Sequence, residues 1–414
     1  MTCGAAFGLH SILEPGASAV LALGTYAAGA AGAAERARQA IGVMTDADWH
    51  LAENWARRER AEGVLGRALM SVGAGRESGP DAWARMGMVA DFRQLRLRES
   101  LADALGVLSA AGVPRMLLKG AALATCHYAG GFPERPMEDV DVLVPPEAAE
   151  EAHRMLLRAG WVVDAGTGVA SRPGHHHLPA LRHRGSGHVL ELHRSILTSN
   201  NPFAWSDGAV WQEAVEVPFA APGGVTAVVP RVEDLLLHGA VHLSWAHELR
   251  IGLWGWVRDL VVLAPAVDWS LVVKLAHERR IASCVYWPLR LGVELGGAVA
   301  AADACEALRP VSRGRARILS RHYAQVAVPP RLTPGGVRLA RLAWGLGLAA
   351  RGSGVGAARP WSESAAAGGG PGARSGDSGE PGGSGRLSGE RGAIVREMRS
   401  LPVWLRWAWR LLRG

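Results

Sequence analysis

Two aspartates separated by a single valine, Asp139 and Asp141 in the stretch EDVDVLV, form the sharpest chemical feature of the chain. A strand has a side-chain period of two, so both carboxylates fall on one face and Val140, Val142 and Val144 on the other. Two such acids repel unless a cation lies between them. A divalent metal such as Mg²⁺, which takes oxygen ligands from one or two carboxylates and from substrate phosphates, is the usual chemical reason for the pair. The same tripeptide also suits an ordinary polar sheet edge.

The neighbouring sequence adds parts that fit the metal reading. RMLLKG, residues 115–120, reads as a strand, a Gly-containing turn and a helix start, which brings helix N-terminal amides towards anionic oxygen. In that turn Gly120 allows close approach, with Lys119 before it and Ala121 after it. Arg135 stands just before the acidic strand as a candidate bidentate phosphate ligand. VLELHRS sets Glu191 and His193 on one face of a further strand. Glu191 completes a three-carboxylate cradle if that strand lies beside 139–144. His193 would orient substrate or contact a phosphate, or else pack within the sheet.

These residues sit in a recognisable arrangement. The segment LLKGAALATCHYAGGFPERPMEDVDVLV resembles the uncharacterised branch of the polymerase-beta-like nucleotidyltransferase superfamily. VLELHRS, VPRVEDLLLHGAVHLSW, GWVRDLVVL and DWSLVVKLAHER follow in the family's order, so the resemblance covers roughly residues 90–300. It implies an α+β fold, a small mixed-sheet core flanked by helices with a mainly helical C-terminal region. It also implies metal-dependent transfer of a nucleoside monophosphate from a nucleoside triphosphate to an acceptor hydroxyl or phosphate. By that resemblance Asp139, Asp141 and Glu191 are catalytic and bind two Mg²⁺ ions, and Gly120 is the phosphate-turn glycine. The family's usual Gly-Ser or Gly-Gly is here Gly120-Ala121, which removes a hydroxyl contact; Lys119 either compensates or points away. The acceptor, a small molecule, sugar or peptide, is not specified. The competing class is a non-catalytic nucleotide-binding or protein-interaction module on the same scaffold.

Residues 46–70 and 81–111, read as two helices, carry apolar residues at helical spacing. Strands are expected at 115–118, 139–144, 161–164 and 187–193, and helices at 147–159, 233–247, 249–263, 268–279 and 281–295, with more to about 349. The expected organisation is an N-terminal segment 1–45, helices 46–111, a core 112–220, a helical domain 221–350, a disordered linker 351–392 and a basic amphipathic helix 393–414. The Ala- and Gly-rich stretch 17–34 reads as a surface or poorly ordered helix. From Gly352 to Gly392, 14 of 41 residues are Gly, which cannot offset its ordering entropy. In 394–414, arginines oppose Trp404, Leu405, Leu411 and Leu412, a pattern for docking on the protein itself or for a peripheral membrane or protein contact.

The remaining chemistry-bearing residues are weaker signals. His175, His176 and His177 form a run that reads as a polar loop near the opening of the site. His238 and His242 lie four apart on a Leu-rich helix, as packing residues or substrate contacts. Arg258 and Asp259 would be an interhelical pair or line the cleft. Four widely spaced cysteines match neither a zinc ribbon nor a disulfide framework, and there is no export signal or spanning segment, so a cytoplasmic protein is expected. A formal charge of +7 on 414 residues does not by itself call for nucleic acid, and the sequence has no phosphate loop of the Walker type, dinucleotide fingerprint or serine nucleophile elbow.

Overall fold

A computed structural model describes residues 15–73, 80–165, 175–199, 201–219, 226–247, 249 and 253–310. The linker and terminal helix expected at 351–414, and any helix between 311 and 349, lie outside the described residues. The chain opens with helices α1 (Pro15–Ala27), α2 (Ala33–Gly42), α3 (Asp46–Arg58), α4 (Glu62–Ser71) and the long α5 (Pro80–Ala110). Thr45 and Asp48 start α3 with a reciprocal capping box.

The sheet-bearing part follows: β1 (Met116–Leu117), α6 (Lys119–Cys126), β2 (Asp139–Leu143), α7 (Ala149–Arg158), β3 (Trp161–Val163), β4 (Leu181–His183), β5 (Val189–His193), α8 (Asp207–Gln212), β6 (Val215–Pro218) and β7 (Thr226–Val229). Helices α9 (Val232–Val241), which runs into a π turn at His242–Ala246, α10 (Leu253–Leu263), α11 (Trp269–Glu278), α12 (Ala282–Gly296) and α13 (Ala302–Ala307) complete it.

Among the described residues the strands form one mixed sheet in the order β3-β4-β5-β2-β1-β7-β6. The centre is β5 parallel to β2, which is antiparallel to β1. The outward-turned positions Val140, Val142, Leu190 and Leu192 are buried in the main core, so the alternation seen in the sequence is a real division between core and site faces. β6 pairs antiparallel with β7, and β7 pairs parallel with β1, so both strands join the same sheet.

Two expectations change. The single helix over 46–70 is two, because Arg60 takes a left-handed φ of 57° and the Ala61 amide turns back to the Ala56 carbonyl at 2.7 Å. The Ala- and Gly-rich N-terminal stretch is not a surface helix: α1 is buried along nearly its whole length. Its small residues permit backbone-close packing instead of supplying large apolar area. A Cβ at Gly24 would collide with the indole nitrogen of Trp254 on α10.

Candidate metal and nucleotide site

The parallel register sets Asp141 of β2 opposite Glu191 of β5, with Asp139 opposite Val189 and Leu143 opposite His193. Asp141, Glu191 and His193 each present one ligand atom within 4.8 Å of the others. His193 Nε2 donates to Asp141 Oδ1 at 2.8 Å and lies 3.5 Å from Glu191 Oε2. Asp139, the first residue of β2, stands one position outward on the same face. The close cluster is therefore Asp141, Glu191 and His193, not the Asp139, Asp141 and Glu191 set expected.

Lys119 turns inward. Its Nζ donates to Asp141 Oδ1 at 2.8 Å, and its backbone has a φ of 46°, a left-handed conformation rare for a residue with a Cβ. The left-handed position of this turn thus belongs to Lys119, while Gly120 serves by its size: a Cβ there would sit 3.3 Å from Met137 Sδ and 3.6 Å from Arg135 Nη1. Leu118 continues β1, with its amide on the Asp141 carbonyl at 3.0 Å. The helical ladder of α6 begins at the Ala122 amide, bonded to Leu118 O at 3.3 Å, so the amides of Lys119, Gly120 and Ala121 precede it. The Ala121 side chain is packed in the core, leaving only its backbone for a ligand.

The charges do not balance. Burial raises the Asp141 carboxyl, but Lys119 and His193 together outweigh it and hold Asp141 well below the usual carboxylate range. The same partnership raises His193 and Lys119 against the burial that would neutralise them. Glu191 is lowered as well, since His193 overcomes its burial. Asp139 has no hydrogen-bonded cation among the described residues: burial first, then Asp141 and Glu191, push it up to about 7 against the opposing charge of Lys119. One outer carboxylate is therefore short of a cation, beside a carboxylate and imidazole donor set. This set fits a divalent metal.

Arg135 is not free to grip phosphate by its fork. Its Nε and Nη2 donate to Asp259 Oδ1 and Oδ2 at 2.6 and 2.9 Å, and Tyr128 adds a third bond to Oδ1 at 2.7 Å. The low-dielectric interior favours a fully paired arginine over an extended one. Arg258 is not part of the site either: it is buried, donates to Gly24 O at 3.2 Å and lies over the Trp254 ring.

The histidines crowd the inner wall. His177 forms an antiparallel bridge with His193, and His177 Nε2 is 3.8 Å from Glu191 Oε2. His176 packs its ring 5.0 Å from that of His193, so this run is a layer on the site more than a solvated loop. His238 is buried on α9 and pushed down to about 3, first by desolvation and then by Lys119. His242, at the start of the π turn, is lowered well below its usual value for the same two reasons, and its Nε2 meets His247 Nε2 at 2.9 Å. Both are neutral neighbours of the Lys119 charge.

One positioning residue has no sequence signal. Gln94 of α5 donates from Nε2 to Met137 O at 2.9 Å and accepts from the Met137 amide at 3.1 Å, clamping the approach to β2. In the sequence it is one polar residue among many on a long helix.

A strand bearing two acids, a parallel neighbour bearing the third, and a glycine turn opening a helix beside them define a polymerase-beta-like nucleotidyltransferase core. The chain belongs to the family described as uncharacterised nucleotidyltransferase, whose model matches residues 45–295. It is an enzyme of the nucleotidyltransferase class, and Asp141, Glu191 and His193 form a cluster that could hold a divalent metal. No curated protein matches it. Among the described residues no helix is long and apolar enough to cross a membrane.

Proposed function

We propose that the protein transfers a nucleoside monophosphate from a nucleoside triphosphate to an acceptor hydroxyl, releasing pyrophosphate. The observation that carries this reading is the register that sets Asp141 against Glu191, with Asp139 beside them on the same face. Asp139, Asp141 and Glu191 would hold two Mg²⁺ ions, with His193 as a further donor or as the orienting partner of Asp141. When bound, the metal supplies charge neutralisation at the transferring phosphoryl group and acidifies the acceptor hydroxyl.

The chain's own groups do the rest. The amides of Lys119, Gly120 and Ala121 present partial positive charge to phosphate oxygen at the start of α6. Lys119 neutralises Asp141 before substrate arrives, and its ammonium is within reach of a phosphate once a stronger cation takes that carboxylate. Arg135 borders the turn at Gly120 and adds positive potential there, while its fork stays on Asp259. His238 and His242, neutral and buried, close the inner wall against water and make no direct bond to the carboxylates. The acceptor oxygen then forms a bond to the α-phosphorus as the bond to the pyrophosphate breaks.

Calorimetry with a panel of nucleoside triphosphates and Mg²⁺, followed by transfer from α-labelled triphosphate, tests this reading. Metal-dependent binding that Asp139→Asn weakens is the expected result. Unchanged transfer in both Asp139→Asn and Asp141→Asn would overturn it.

A further inference from the structure

We infer that His177 is a metal ligand of this site: its Nε2 and the Glu191 carboxylate hold one transition-metal ion of the Zn²⁺ or Co²⁺ kind, while His193 stays on Asp141 as a hydrogen-bond donor. This rests on the nucleotidyl-transfer reading above and alters it in one respect. Imidazole nitrogen suits such ions, whereas Mg²⁺ takes oxygen ligands, so Mg²⁺ keeps the carboxylates of Asp139 and Asp141 and a different metal takes Glu191.

The placing of the ring hydrogens separates the two imidazoles. His177 Nδ1 lies 2.8 Å from Leu178 O. A carbonyl oxygen only accepts, so Nδ1 carries the hydrogen, and in the neutral ring Nε2 presents its lone pair. That nitrogen is 3.8 Å from Glu191 Oε2. Two electron-rich atoms therefore face each other outside hydrogen-bond reach. An imidazolium donating to the carboxylate would bring the pair to about 2.7–2.9 Å. Two ligands that each sit about 2.1 Å from a shared ion are held about 3–4 Å apart instead.

His193 has the opposite arrangement. Its Nε2 donates to Asp141 Oδ1 at 2.8 Å, and its Nδ1 is buried with no hydrogen-bond partner among the described residues. A metal on that Nε2 would force the hydrogen onto Nδ1 and leave a buried N–H unpaired, which is unfavourable. Histidines that bind metal almost always donate their other ring N–H to a carbonyl, a carboxylate or water. His177 meets that requirement and His193 does not.

The fold also holds His177 still. It forms a backbone bridge with His193, flanked by the Leu178 amide on Leu192 O at 2.9 Å and the Arg194 amide on His176 O at 2.9 Å. Its side chain is buried, and the rings of His175 and His176 pack against it with centroids 4.2 and 4.9 Å away. A ligand on paired backbone, with its ring wedged between neighbours, is preorganised for an ion.

The first test uses the unaltered full chain, labelled with ¹⁵N-histidine and titrated with one equivalent of Zn²⁺. Two-bond ¹H–¹⁵N spectra report which ring nitrogen carries the hydrogen and which binds metal. The expected result is a shift of Nε2 in a ring whose hydrogen is on Nδ1 before Zn²⁺ is added. A ring that moves its hydrogen from Nε2 to Nδ1 on binding is the signature of His193 and overturns the inference, as does the absence of any responding ring. The second test is calorimetry on His177→Gln, which should remove the responding signal and weaken Zn²⁺ binding at least about tenfold. Mg²⁺ binding should be unchanged; equal loss of both metals overturns the inference by making His177 a packing residue. Should His177→Gln fail to fold, the spectra of the unaltered chain decide the matter alone. Failure of the nucleotidyl reading has a different signature: no metal-dependent triphosphate binding, with the His177 response to Zn²⁺ intact.

Discussion

Two buried aspartates of this protein meet cations in opposite ways. Asp259 on α10 is saturated: Arg135 takes both its oxygens and Tyr128 adds a third donor. Asp141 on β2 is shared: Lys119 and His193 both reach one oxygen, and Asp139 beside it is left with less cation than it needs. The first arrangement closes on itself and braces the loop before β2 against α10. The second has residual negative charge facing an opening. A buried ion pair by itself says little about role; the completeness of its partnering separates brace from site.

The largest expected effect falls on the shared aspartate. Asp141→Asn should lower turnover by about 10³-fold, the scale of losing a preorganised electrostatic partner in the transition state, and should also lower the melting temperature because Lys119 and His193 lose their shared anion. A single-turnover assay beside a thermal melt checks it, and a variant that melts early but retains turnover would reverse the comparison. The converse holds for the brace. Asp259→Ala leaves the Arg135 charge buried and alone, which should cost about 3–5 kcal/mol in denaturant unfolding. Metal binding by the folded fraction should persist.

A third outcome concerns pH. The folded protein holds the Asp139 proton to about pH 7, against about 3.9 for an unfolded aspartate. That contribution to stability is fully present below the unfolded value and is lost as pH rises through about 7. Compared with Asp139→Asn, the metal-free protein should therefore lose stability between about pH 4 and 7, and a divalent cation should restore it most at the alkaline end. His238 works in the other sense, because its folded value of about 3 lies below that of a free imidazole. Its contribution is present above about pH 6.5 and is lost on acidification. Difference melts between wild type and Asp139→Asn isolate the carboxylate, and parallel curves would refute the assignment. The smallest effect is remote: Gly24→Ala should cost about 1–3 kcal/mol through overpacking against Trp254, without changing metal affinity.

The sequence made the acidic strand legible because a period-two alternation survives over Asp139–Val144 and needs no knowledge of distant contacts. Glu191 needed the register of β5 on β2, fifty residues away, which only the fold supplies. Arg135 misled for a related reason. Nearness in sequence to the acids suggested phosphate, whereas its partner lies on α10. His193 is the sheet-packed residue that its strand position allowed, fully buried, and it is also a direct partner of Asp141, a contact the sequence spacing did not suggest. Strands β4, β6 and β7 are three or four residues long, too short for alternation to register. Composition misread α1, since small residues look like surface filler until a partner helix comes close enough to require them.

The pairing of β1 with β7 has a consequence for how the protein is made. Met116 is flanked by Leu143 on one side and by Val228 on the other. The second neighbour leaves the ribosome roughly a hundred residues after the first strand, or about ten seconds at ordinary elongation rates. Until then the outer edge of β1, and with it the platform for Lys119, has no strand to pair with. Synonymous changes that slow translation between residues 143 and 228 would lengthen that window, and newly made chains should then depend more heavily on chaperones although the mature protein is unaltered.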